Sequence, residues 1–241
     1  MTTGEQVAAP LPLGRFPLLD ATRGLAVLLM VIYHCFFDLN WYGFTHFHFN
    51  TDPFWLIARA IILTLFLLVM GVSLSLAPPH RLPQRLIRLL GAALLVTIAS
   101  AWLFPRSYIY FGVLHFAVVA SGLALFFRGS WFTLVAGIGI VVVGSTAHYP
   151  LFNQPALHWV GMMTFKPHTE DYVPLIPWFG VVLLGLWLGN RLYRPGGSPP
   201  TLSLSIPWIA PLAWLGRHSL AIYLVHQPLL LGGLWLLLRV G

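Results

Sequence analysis

Long apolar runs alternate with short polar or Pro- and Gly-rich interruptions along most of the chain. Six runs are long enough to cross a membrane by the rule of about 20 apolar residues: 21–39, 54–77, 86–104, 108–127, 131–148 and 218–238. A shorter run, 175–189, makes a seventh. The interruptions carry helix breakers, at Pro78-Pro79, Pro105, Gly129, Pro150, Pro174 and between Pro195 and Pro200. Residues 208–215 are apolar but too few to span, and Pro207 and Gly216 bound them, so an interfacial or re-entrant piece is expected there. The pattern predicts an all-α, polytopic membrane helical bundle of about seven transmembrane helices, with no internal repeat. Residues 15–241 form one membrane domain in this reading. Residues 1–14 are expected to be a flexible cytoplasmic tail, because they lack the basic start and short apolar core of a signal peptide.

The arginines give the bundle a direction. With seven spans, Arg15, Arg23, Arg81, Arg85, Arg88, Arg128, Arg191, Arg194 and Arg217 fall on one side, and only Arg59, Arg106, Lys166 and Arg239 on the other. Short loops rich in Lys and Arg stay in the cytoplasm. The amino terminus is therefore expected inside and the carboxy terminus outside. The outer side receives two polar connections, 40–53 with His46 and His48, and 149–173 with His158, His168, Glu170 and Asp171.

Composition strengthens the membrane assignment: 58 % of residues are apolar and only 8 % charged, where a soluble domain has roughly 25 % charged residues. The basic balance, a net charge of +7, does not point to nucleic acid, since the charges are dispersed between apolar runs and never gather into one soluble face. The single cysteine, Cys35, excludes an intrachain disulfide and a Cys-based metal cluster. No metal is expected.

Three constellations of polar residues interrupt the apolar background. Arg23, His34 and Asp38 share the first run, where ionisable side chains are costly and usually functional. On a helix the eleven steps from Arg23 to His34 climb about 16 Å, roughly half of a ~30 Å hydrocarbon core. Asp38, four residues beyond, shares a face with His34 and can touch it. A carboxylate on one imidazole nitrogen would fix the tautomer and raise the basicity of the other, which suits a general base. The second set is Arg81, Arg85 and Arg88, the last two a turn apart, which suits a phosphorylated cytoplasmic ligand as well as the ordinary positive-inside signal. The third is His115 and His226, buried histidines able to line the same cavity, with Pro228 freeing a backbone carbonyl that Gln227 or His226 can answer. His46, His48 and Asp171 are candidates for an external substrate.

Taken together, the stretch from Arg15 through Asp20, Arg23-Gly24 and Tyr33-His34 to Asp38-Leu39 resembles the signature of the heparan-alpha-glucosaminide N-acetyltransferase catalytic-domain family, within the wider transmembrane acyltransferase superfamily. The stretches 110–115, 171–180 and 215–228 resemble its short prokaryotic members. The resemblance implies an enzyme that takes an acyl group, acetyl above all, from cytoplasmic acyl-CoA and delivers it to an extracytoplasmic sugar. Related membrane O-acyltransferases carry an arginine and a catalytic histidine at the spacing of Arg23 and His34, and an Arg-x-x-Arg donor-binding pair matched by Arg85 and Arg88. In the lysosomal relative the catalytic histidine is in the first luminal loop, at a position aligned with Thr45, next to His46. A chain shorter than these relatives implies a reduced substrate-binding region or assembly as a homo-oligomer.

On this basis the nucleotide of acetyl-CoA is expected among Arg23, Arg81, Arg85 and Arg88, and its thioester near His34. His34, oriented by Asp38, would take the acceptor's proton, while His115 or a backbone donor stabilises the oxyanion. His46, His48, Asp171 and His226 would bind the acceptor. The setting is the cytoplasmic, inner membrane of a prokaryote, with lipid around the bundle. Two other classes fit buried histidines: a haem-binding electron carrier with axial ligands among His34, His115 and His226, and a proton-coupled transporter with His34 and Asp38 as relay.

Overall fold

The computed structural model describes residues 16–127, 129–193 and 208–240. The expected tail, Arg15, Arg128, Arg194 and the Pro-rich stretch 195–200 lie outside them. Among the described residues there are eight α-helices and no strand: α1 (Pro17–Trp41), α2 (Pro53–Leu76), α3 (Leu82–Leu103), α4 (Val113–Leu123), α5 (Trp131–Thr146), α6 (Leu175–Leu192), α7 (Ile209–Arg217) and α8 (Ser219–Val240). Proline opens α1 and α2, where its missing N–H costs nothing. Asp52 caps α2 by accepting from the Phe54 N–H at 3.0 Å.

Among the described residues five helices are long and apolar enough to cross a membrane, and the apolar helices Val113–Phe126 and Trp131–Thr146 are shorter. The chain is an all-α, polytopic membrane bundle. Apolar side chains cover its outside: Ile87, Ile98 and Trp102 of α3 are exposed, Trp102 at 83 %. The expected run 108–127 is helical only from Val113. Before it, Phe111 pairs with Tyr172, and the Val173 N–H donates to the Phe111 carbonyl at 3.3 Å. The helix cannot extend backwards because the Val113 N–H is held by Asp171 Oδ2 at 2.9 Å. A side chain 58 residues away thus sets the start of α4, and apolar periodicity carries no sign of it.

The core lies where α2, α4 and α6 meet, around Leu67, Phe116, Ala120, Phe179, Val182 and Leu183. The expected surface piece 208–215 is the short helix α7, laid along the first turns of α1. Ile209 and Ala213 are buried against Ala21 there, while Trp208 and Trp214 stay exposed. Two glycines permit this approach. A Cβ on Gly24 would land on the Leu212 carbonyl oxygen, and one on Gly216 on the Asp20 carbonyl oxygen. Small residues let helix backbones touch in this way inside membranes. The contact delivers Arg217, at the end of α7, to the side of Arg23.

Candidate active site

Arg23 is the residue around which the charged end of the bundle is organised. Its guanidinium donates to Asp20 Oδ1 at 2.9 Å and to Ser73 Oγ at 2.6 Å, tying α1 to α2. The Ser73 hydroxyl in turn donates to the Val69 carbonyl at 2.6 Å. Arg23 also lines a cavity of about 420 Å³ that gathers Arg81, Arg85, Arg88 and Arg217. The five arginines thus face one space, and no carboxylate is on its lining. The side chains of Arg81 and Arg85 make no hydrogen bond or ion pair to the described residues, whereas Arg88 Nε donates to the Gln84 carbonyl at 3.2 Å. Unpaired guanidinium groups around an opening attract anions, phosphates above all, because their planar fork matches phosphate oxygens. The rest of the lining is apolar, with Phe66 and Met70 of α2, Leu114 and Ala117 of α4, and Leu220 of α8, and it includes Tyr223.

Tyr223 lies one helical turn from the second polar region, a buried cluster between α1 and α8. The rings of His34 and His226 are 5.0 Å apart, centroid to centroid. Asp38 is 2 % exposed and His226 7 %. Gln227 Nε2 donates to Asp38 Oδ1 at 3.1 Å. Four buried polar atoms of this cluster have no partner: His34 Nδ1, Asp38 Oδ2, His226 Nε2 and Gln227 Oε1. A buried polar atom without a protein partner is costly, and four in one place give this cluster unused hydrogen-bonding capacity for a polar ligand. The expected pairing of His34 with Asp38 is not made: Asp38 engages Gln227 from the opposite helix, and His34 faces His226 instead.

Comparison with known families settles the kinship of this arrangement. Residues 15–228 match the family model of heparan-alpha-glucosaminide N-acetyltransferase, catalytic. The chain belongs to that family. No curated protein and no solved structure matches it. Membership of this acetyltransferase family makes the chain an integral membrane acyltransferase by kinship, and the resemblance carried by residues from Arg15 to Asp38 is borne out.

Within this acetyltransferase scaffold the other expected site residues fall in different places. His115 has both ring nitrogens occupied. Thr97 spends its hydroxyl proton on the Ile109 carbonyl at 2.8 Å, so at 2.9 Å its oxygen accepts from His115 Nε2, and His115 Nδ1 accepts from the Gly112 N–H at 3.3 Å. His115 thereby fastens the entry to α4 onto α3. Asp171 Oδ2 accepts from the Val113 N–H and, at 3.0 Å, from the Tyr223 hydroxyl, so it joins α4 to α8. Burial pushes its carboxyl up, and these two hydrogen bonds oppose the shift only in part. His46 and His48 are exposed on the connection between α1 and α2, apart from the His34 and His226 rings. That connection is stitched down by Asn40 Oδ1, which accepts from the Phe47 N–H at 2.6 Å, and by the packing of Phe47 and Phe49 on Trp55.

The structure therefore unites Arg23, Arg81, Arg85 and Arg88 in one cavity, and His34, Asp38 and His226 in one cluster. It keeps His46 and His48 out of both. Sequence reasoning missed Arg217, counted only as a basic loop residue, and Tyr223, whose signal was its place three residues before His226 on one face of an apolar helix.

Proposed function

We propose that the protein transfers an acetyl group from cytoplasmic acetyl-CoA to an amine or hydroxyl of a sugar on the opposite side of a prokaryotic inner membrane. The observation that carries this reading is the pairing of two unlike polar sites in one bundle. Five arginines surround a cavity without a carboxylate, which suits the phosphates of CoA, and Tyr223 connects that cavity to a buried pair of histidines. In this mechanism the nucleotide end rests against Arg23, Arg81, Arg85, Arg88 and Arg217, and the slender acyl-bearing arm passes the apolar wall formed by Phe66, Met70 and Leu114. The thioester then reaches the histidine cluster beside His34. An acceptor entering from the far side attacks the thioester carbonyl, the C–S bond breaks as the C–N or C–O bond forms, a histidine nitrogen takes the acceptor's proton, and CoA departs as thiolate to be protonated. Asp38 and Gln227, with unpartnered oxygens, are placed to accept hydrogen bonds from the sugar. Asp171 and His115 hold the helices that shape this site.

A haem carrier is not favoured, because the His34 and His226 rings, 5.0 Å apart, leave no room for a macrocycle and its iron between them, and both ring nitrogens of His115 are already hydrogen-bonded. The test is to supply labelled acetyl-CoA to membranes containing the protein and identify the acylated product by mass spectrometry. A labelled glycan absent from control membranes is the expected outcome, and protein that fails to bind acetyl-CoA at all would sink the reading.

A further inference from the structure

The acyl-transfer reading leaves open which nitrogen takes the acceptor's proton, and the hydrogen-bond pattern around His226 narrows the choice. His226 Nδ1 lies 2.7 Å from the Tyr223 carbonyl oxygen. A carbonyl oxygen only accepts, so Nδ1 must carry the ring's proton. In the neutral imidazole Nε2 is then a bare lone pair, and that atom is buried without a partner. The tautomer is fixed by the backbone of the same helix, one turn earlier. Tyr223 is itself pinned, since its hydroxyl donates to Asp171 Oδ2, which also caps the start of α4. His34 has no such lock: its Nδ1 makes no hydrogen bond, and the carboxylate expected to orient it is engaged by Gln227.

We propose that His226, through Nε2, is the general base of the transfer, and that His34 is its neutral partner across the same buried space. This assignment rests on the acyl-transfer reading and deepens it. As the acceptor N–H or O–H attacks the thioester carbonyl, its proton passes to His226 Nε2 and the ring becomes an imidazolium, with Nδ1 still held by the Tyr223 carbonyl. Collapse of the tetrahedral intermediate breaks the C–S bond and releases CoA thiolate, which recovers the proton from His226 and leaves the ring neutral for the next cycle. Two imidazolium rings 5.0 Å apart in an apolar interior would repel strongly, so while His226 holds the proton His34 stays uncharged. His34 can then donate an N–H to the developing oxyanion or accept a second hydrogen bond from the sugar, roles that a neutral ring fills.

Two measurements test this independently of one another. The first uses full-length protein with ¹⁵N-labelled histidine in lipid nanodiscs, the His226 signals being found by comparison with His226→Gln. The proposal expects the Nδ1–H tautomer with an unprotonated Nε2, and an Nε2–H tautomer overturns it whatever the acceptor proves to be. The second follows labelled acetyl-CoA in membranes that supply the native acceptor. His226→Gln should lower product formation by about 100-fold or more while acetyl-CoA binding changes less than about twofold. Product formation within about threefold of wild type would overturn the assignment of His226 and leave the acyl-transfer reading standing. Absence of product and of acetyl-CoA binding in the wild-type protein would instead remove the acyl-transfer reading itself.

Discussion

The arginine cavity and the histidine cluster are two polar regions of a largely apolar bundle, and they solve the problem of polarity in opposite ways. In the cavity the charge is carried by guanidinium groups gathered around an opening, and the side chains of Arg81 and Arg85 have no ion-pair partner among the described residues. In the cluster the groups are packed away, Asp38 at 2 % exposure, and the unpartnered atoms are nearly all acceptors or neutral nitrogens. The first region can hold a charged ligand by long-range attraction. The second can discriminate only by contact, because unpaired polar atoms in a low-dielectric interior punish any ligand that fails to answer them. In the proposed reaction, affinity for the donor and chemistry on the acceptor are separated along the bundle, with Tyr223 on the border.

That separation can be broken from either side. The largest effect is expected from His226→Ala, which should cost about 10²- to 10⁴-fold in transfer rate while acetyl-CoA still binds, measured by product formation and by calorimetry on the same preparation. Loss of donor binding as well would mean that the two regions are one. Arg85→Ala should do the converse. Removing a charged hydrogen-bond donor costs about 1.5–3 kcal/mol, roughly 10- to 100-fold in donor affinity, and raising the salt concentration should mimic it in the wild type and have less effect in the variant. Gln227→Leu would strip the Asp38 carboxylate of its hydrogen bond from Gln227 and leave it buried alone, lowering stability by about 1–3 kcal/mol in a thermal unfolding assay. Asp38→Asn in the same background should recover part of that loss.

A subtler test uses pH. Burial raises the folded-state pKa of Asp171. Its contribution to stability is therefore full below the ordinary carboxylate pKa near 4 and is lost as pH rises through the raised value. Asp171→Asn should flatten this decline in the unfolding temperature as pH rises above the ordinary carboxylate pKa near 4. The smallest effect is expected at the exposed loop histidines: His46→Ala and His48→Ala should change transfer by no more than about twofold, as surface changes usually do. A large loss in His46→Ala would move the chemistry out of the helix pair and into the loop.

Much of the bundle was legible because apolar run length is a local property, visible wherever a membrane demands about 20 residues. The arginines were legible for the same reason: Arg85 and Arg88 are one turn apart, and their shared face follows from helix geometry alone. The rule failed where a distant residue outbid a neighbour. His34 and Asp38 have the spacing of a contact pair, yet Asp38 is bound by Gln227, 189 residues along the chain. The start of α4 was misjudged for a like reason, since Asp171 lies 58 residues from the N–H that it takes. Arg217 joined the cavity only because Gly24 and Gly216 let α7 lie against α1, an approach that a single sequence does not announce.

One further consequence comes from the brevity of α5. Its sixteen residues rise about 24 Å, against a hydrocarbon thickness of roughly 30 Å, and its exposed Phe132, Val135, Ile138 and Val142 leave it facing lipid. A bilayer meeting that flank must dip toward the helix ends, or the helix ends must be stranded among acyl chains. The protein should therefore favour short-chain lipids, and its turnover in vesicles of graded acyl length would register the thickness of the sheet in which it sits.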